Sequence, residues 1–112
     1  MASGDFVGYV GPPDIHDGRI MRVERDGDHF WVDVKVESGE MLIFEFLGVT
    51  AIRSNRPEGM LLYSLSEMRS QAPLRRFVFT NWDTRDDAFL EVVARDFFVS
   101  RVPKEPFDVS IR

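Results

Sequence analysis

Residues 19–36, RIMRVERDGDHFWVDVKV, alternate apolar and polar side chains around an Asp26-Gly27 pair. Alternation of period two is the pattern of a half-buried strand. Asp-Gly between two such runs is a strong hairpin signal, because a type I′ turn needs positive φ at both central residues. With Asp26-Gly27 as a two-residue loop, Arg25 faces Asp28, Val23 faces Phe30 and Met21 faces Val32. One face then carries Met21, Val23, Phe30, Val32, Val34 and Val36. The other carries Arg22, Glu24, His29, Trp31, Asp33 and Lys35. A one-residue slip would put apolar side chains against polar ones, which a half-buried sheet disfavours.

The same reasoning extends the sheet. A three-residue loop at Glu37-Ser38-Gly39, with Gly39 left-handed, pairs Val34 with Leu42, Val32 with Phe44 and Phe30 with Phe46. Gly48 then marks a bulge or bend before a strand over 49–52. Asn55 to Gly59 is a turn cluster. A strand is expected through Tyr63. Ser64 and Glu67 stand at capping-box spacing, and Leu61, Leu65 and Met68 share a helical face, so one or two helical turns are expected over 65–70. Further strands are expected over 74–80 and, as one long element, over 88–99, with a polar loop at 81–87 between them. Residues 1–5 and those from Pro103 onward read as irregular. The fold class that follows is all-β: an antiparallel sheet of about 7–8 short strands curled into a sandwich or partly open barrel, with at most one short helix near 65–70. The 112 residues make one domain, with an ordered core over about 6–102.

Composition narrows the function. The net charge of −5 lacks the basic footprint of a nucleic-acid binder and favours a basic partner. No apolar run is long enough to span a bilayer as a helix, and the polar start shows no signal peptide. There is no cysteine, hence no thiolate nucleophile or disulfide, which fits a cytoplasmic setting.

Catalytic signatures are missing from the sequence. No Gly-x-Ser-x-Gly elbow or glycine-rich phosphate loop occurs. Asp14, His16 and Asp17 have the residue types of a metal site, but the hairpin holds His29 far from His16, so no metal and no cofactor is expected. Asn81, Asp83, Arg85 and Asp87 imitate a calcium loop, yet Arg85 stands at its fifth position, Asp86 at the glycine position and Val92 at the final glutamate. The candidate binding residues are His16 at the entrance to the first core strand, Trp31 on the polar hairpin face, and Trp82, Asp83 and Asp86 in the acidic loop. Arg22 against Trp31 and Glu24 against His29 are the expected cross-strand pairs on that face.

Three segments resemble small bacterial single-domain families, some grouped with the immunity proteins of polymorphic toxin systems. They are Ile15-His16-Asp17-Gly18-Arg19-Ile20, Phe44-Glu45-Phe46-Leu47-Gly48-Val49 and Leu90-Glu91-Val92-Val93-Ala94-Arg95-Asp96-Phe97. The resemblance spans residues 14–99 and is structural in kind, so it assigns no catalytic residue. It implies an all-β cytoplasmic protein that binds a protein partner. The expected activity is therefore non-enzymatic binding of a basic protein, with homodimerisation through a strand edge compatible with it. The alternative is a ligand carrier or enzyme with a sheet cavity lined by Phe30, Phe44, Phe46, Phe77 and Phe79.

Overall fold

The computed structural model describes residues 5–103. The expected irregularity of residues 1–4 and 104–112 lies outside those residues. Among the described residues nine strands form: β1 Phe6–Tyr9, β2 Arg19–Asp26, β3 His29–Lys35, β4 Met41–Leu47, β5 Ala51–Asn55, β6 Leu62–Met68, β7 Arg75–Asn81, β8 Phe89–Ala94 and β9 Asp96–Val102. They make two antiparallel sheets, ordered β1-β6-β7-β8-β5 and β2-β3-β4-β9. The all-β sandwich expected from the alternation is the fold observed.

The pairing of β3 with β4 is the expected one, with Phe30 opposite Phe46, Val32 opposite Phe44 and Val34 opposite Leu42. Gly39 is left-handed, φ 95°, and its N–H donates to the Val36 carbonyl. The first hairpin differs. Asp26 pairs with His29, so the loop is Gly27-Asp28 with Gly27 at φ 63°. Glycine in the first central position is the arrangement of a type II′ turn. This moves the register by two residues, Val23 meeting Val32, and a shift of two preserves which side chains face inward. A bulge between Ile20 and Arg22 then exchanges Met21 for Ile20. Ile20 is fully buried and Met21 is exposed, opposite to the expectation for these two.

Residues 65–70 form no helix; Leu65 and Met68 lie in β6. A bulge between Leu62 and Ser64 lets Leu62 and Leu65 both point into the core. The resulting three-residue spacing imitates a helical face. Pairing of β6 with β1 on one side and β7 on the other overrides the local helix signal. The expected long strand over 88–99 is two strands. Leu90, Val92 and Ala94 face inward as expected, but beyond Arg95 the inward positions become Phe97 and Val99. The change from even to odd positions marks the crossing between sheets.

That crossing has a partner. β4 runs through Gly48 into β5 while β8 runs through Arg95 into β9, and β4 pairs β9 as β5 pairs β8. One long two-stranded ribbon is thus folded over at Gly48 and Arg95. Such corners let one ribbon serve two sheets. Gly48 is left-handed, φ 67°, and a Cβ there would lie 3.2 Å from the Arg95 Cβ. The Arg95 N–H donates to the Leu47 carbonyl at 3.0 Å.

Folding the ribbon brings phenylalanines from both sheets together. Phe44 meets Phe79 at 5.6 Å between ring centroids, and Phe46 meets Phe77 at 5.3 Å. Phe30, Phe44, Phe46, Phe77 and Phe79 are all buried in this core. The five are packed core side chains rather than the lining of a sheet cavity. Each contributes about 1.5–3 kcal/mol relative to leaving it in water. Arg75 closes one end of the core. Its guanidinium binds the Glu67 carboxylate through two hydrogen bonds, of 2.9 and 3.0 Å, and lies over the rings of Phe77 and Phe97. The Arg75 hydrogen bonds hold the Glu67 carboxyl below its usual range.

Two outcomes follow. Gly48→Ala should cost about 1–2 kcal/mol in urea unfolding, since alanine must take the left-handed conformation beside Arg95. A cost near zero would show that the corner tolerates a side chain. Glu67 has a lowered folded-state pKa, so its contribution is complete above its ordinary value of 4.5 and disappears as pH falls through the lowered value. The stability gap between the native chain and Glu67→Gln at about pH 7 should therefore close by about pH 2. A gap that persists would place the effect in packing instead.

Candidate functional site

The Pro12-Pro13 pair starts a short 3-10 turn, Pro13–Ile15, which buries Ile15 and delivers His16 to the surface. Asp17 follows with φ 70°, a left-handed conformation that aspartate tolerates better than most residues. Gly18 comes next because nothing larger fits. A Cβ there would lie 2.8 Å from both the Ile15 carbonyl oxygen and a Val34 methyl carbon. The bend expected at Asp17-Gly18 is present, and it is clipped to β6. The Asp17 N–H donates to the Leu62 carbonyl at 2.9 Å, and the Leu62 N–H donates to the Gly18 carbonyl at 2.7 Å.

On the far side of the same strand entrance, the Trp82 N–H donates to the Leu61 carbonyl at 2.8 Å. Trp82, distant in sequence, thereby comes to rest beside His16. The ring centroids of His16, Tyr63 and Trp82 lie 5.2, 5.5 and 5.6 Å apart pairwise. The Trp82 indole N–H donates to the Asp17 carboxylate at 2.7 Å, and the other Asp17 oxygen lies 3.4 Å from His16 Nδ1. Tyr63 and Trp82 remain 42% and 44% exposed. At these separations the three rings touch one another, leaving no space for an ammonium group between them. The cluster is a wall with a carboxylate at its foot, and it offers outer ring faces to solvent.

Next to the wall is a mostly apolar hollow of about 330 Å³, bordered by Tyr9, Pro12, Pro13, His16, Tyr63 and Leu65. The left-handed Gly11 gives it a floor, since a Cβ there would press on Phe44 at 3.3 Å. A second apolar hollow continues along the outer sheet face past Phe6, Tyr9, Tyr63 and Met68. Together they form one aromatic surface running from β1 to the loop after β7.

The other sequence candidates lie elsewhere or do other work. Trp31 is on the outer face of the four-stranded sheet, half-buried, with His29 as its ring neighbour at 5.5 Å. Arg22 does not oppose it. The two-residue register change sets Arg22 opposite Asp33 and Glu24 opposite Trp31, and Arg22 binds Glu24 at 2.6 Å. Likewise His29 faces Asp26 on β2 and lies 3.8 Å from Glu45 on β4, so the expected Glu24–His29 pair is absent. Asp83 accepts hydrogen bonds from the Arg85 N–H and guanidinium, and the backbone bond foremost holds its carboxyl below the usual range. Asp86 accepts from Asn81, from Arg56 and from the Ala88 N–H. These two aspartates shape the loop that places Trp82.

Sequence reading named His16 and Trp82 separately and missed Asp17 and Tyr63 as their companions. Tyr63 carried no signal: it is turned out of the core because it is the extra residue of the β6 bulge, which only the strand pairing reveals. Among the described residues no three His, Asp or Glu side chains converge as a metal site would require. Comparison with protein-family models, with curated proteins and with solved structures finds no match for this chain.

Asp17 serves both the backbone and the indole, and substitutions separate the two. Asparagine adopts the left-handed region readily and keeps a carbonyl for Trp82, whereas alanine does neither. Asp17→Ala should be about 1–2 kcal/mol less stable than Asp17→Asn in urea unfolding. Equal stabilities would show that the bend is not strained at this position.

Proposed function

We propose that this chain is a small non-enzymatic binding module, immunity-like in kind and set in a bacterial cytoplasm. It uses the His16–Tyr63–Trp82 wall to grip a basic segment of a protein partner. The observation that carries the reading is the exposed aromatic cluster built around the Asp17 carboxylate. Large rings held rigid by their neighbours contribute much of the energy of protein interfaces, because little side-chain freedom is lost when they are covered. A partner guanidinium suits the wall best. Its flat face stacks on an exposed ring while its N–H groups reach a carboxylate beneath. The apolar hollow beside Tyr9 then receives the stem or a neighbouring apolar side chain. The net charge of −5 favours the approach of such a partner over long range.

The test uses short synthetic peptides that differ only in carrying arginine, lysine or glutamate. Binding is followed by tryptophan fluorescence in a Trp31→Phe background, so that Trp82 alone reports. Arginine peptides should bind most tightly, with affinity falling as salt rises. Asp17→Asn should weaken them by about tenfold while leaving the fold intact, the size of one charge-assisted contact. Glutamate peptides binding as well as arginine ones would overturn the assignment.

A further inference from the structure

Four of the described strands lie at sheet edges: β1 and β5 in one sheet, β2 and β9 in the other. An unpaired edge is a template for another strand, and proteins blunt it by shortness, bulges or charge. Three of these edges are blunted. β1 has four residues and a register break between Phe6 and Gly8. β5 has five residues with Arg53 at its centre. β2 is bulged at Met21, carries Arg19, Arg22, Glu24, Arg25 and Asp26, and is bridged at Arg19 to Leu61.

β9 is different. Its seven residues pair with β4 in unbroken register from Asp96 to Val102. No charge interrupts Phe97-Phe98-Val99-Ser100. Phe98 and Val102, on the outer face, are 57% and 45% exposed. Arg101, the cation within the strand, is already compensated by Asp14 and Glu40, which it binds at 2.8 and 2.9 Å.

We propose that two copies of this chain pair antiparallel along β9, about a two-fold axis at Ser100, joining their four-stranded sheets into one of eight strands. Side chains on one face of a sheet must meet side chains on the same face, which restricts the register to steps that keep the pleat. With Ser100 on the axis, Phe98 of each copy meets Val102 of the other, and both exposed apolar side chains are covered. With Val99 on the axis, Phe98 meets Ser100 and Val102 meets Asp96. With Phe98 on the axis, Phe98 meets Phe98 of the second copy, but Ser100 meets Asp96 and Val102 falls beyond the end of β9, so Val102 stays uncovered. Among the registers centred within Asp96–Val102, only the Ser100 register gives both Phe98 and Val102 an apolar partner on the outer face. A single strand pair is a small interface, so the association belongs to the weak class, with Kd of about tens of micromolar. This surface is separate from the aromatic wall, and the two proposals stand or fall independently.

The full-length chain is examined by sedimentation equilibrium from about 5 to about 500 µM, a range that brackets such a Kd. The mass should rise from one chain of 12.9 kDa toward two. Salt should strengthen the dimer, since two chains of −5 repel each other. Phe98→Lys should raise Kd by about tenfold or more. Within one copy the new lysine stands opposite Glu45 in β4, which favours retention of the fold, to be checked by circular dichroism. Because the chain has no cysteine, Ser100→Cys gives an unambiguous readout. It should form a disulfide-linked dimer on mild oxidation, and Arg22→Cys on the β2 edge should not. A chain that stays monomeric throughout, a dimer indifferent to Phe98→Lys, or equal cross-linking at both cysteines would each overturn the proposal.

Discussion

The fold depends on the corner at Gly48 and Arg95. Two adjacent strands must turn there together, or the β4–β9 ladder and the β5–β8 ladder would form one flat ribbon with its apolar face open to water. Glycine at φ 67° supplies the left-handed residue on one strand, and the Arg95-to-Leu47 hydrogen bond keeps the strands joined through the turn. The register sum of the two ladders differs by one residue across the corner, as when Phe46 pairs with Phe97 but Ile52 with Val92. An extra residue on one side is how a bulge bends a ribbon. The edge-to-face and tilted phenylalanine contacts of the core follow from this bend, because they come from strands on opposite sides of it.

The aromatic wall is a product of the same closure at another corner. Once the sheets face each other, the start of β2 lies beside the start of β6, and Arg19 bridges Leu61. Backbone bonds from this junction hold both Asp17 and Trp82, one through Leu62 and the other through Leu61. The rings are therefore fixed by main chain on two sides, which is the condition for a surface to bind without first losing much freedom. The Arg101–Asp14–Glu40 network anchors the preceding turn to β9 and to the loop that leads into β4. The Arg101 hydrogen bond lowers the Asp14 pKa, so the anchor persists as pH falls below the ordinary carboxylate value.

Where sequence and structure part, bulges are one cause. Ile20 with Val23, and Leu62 with Leu65, face inward at a spacing of three because Met21 and Tyr63 are extra residues in their strands. Period-two reasoning assigned Met21 to the core, and period-3.6 reasoning gave 65–70 to a helix. The first error is an extra residue that alternation does not reveal; the second took the Leu61, Leu65 and Met68 spacing and the Ser64–Glu67 capping-box match for a helix, where pairing with β1 and β7 imposes a strand. The split at Arg95 was not legible, because apolar residues occupy both parities on either side of it (Phe89 and Leu90, Val92 and Val93, Phe97 and Phe98), so the passage of the inward set from Leu90, Val92 and Ala94 to Phe97 and Val99 leaves no mark in the pattern.

The sequence by itself determined the all-β class, the β3–β4 register, the inward phenylalanines of β3, β4 and β7, and the bend at Asp17-Gly18. These are local matters, set by alternation and by turns that only certain residues can make. Tertiary structure decided which strands cross between sheets, which edge is left open at β9, and that His16 and Trp82 share the Asp17 carboxylate with Tyr63 packed against both rings. The reason is that such juxtapositions rest on backbone hydrogen bonds between strands far apart in the chain. Every residue type except proline can make those bonds, so no residue announces them.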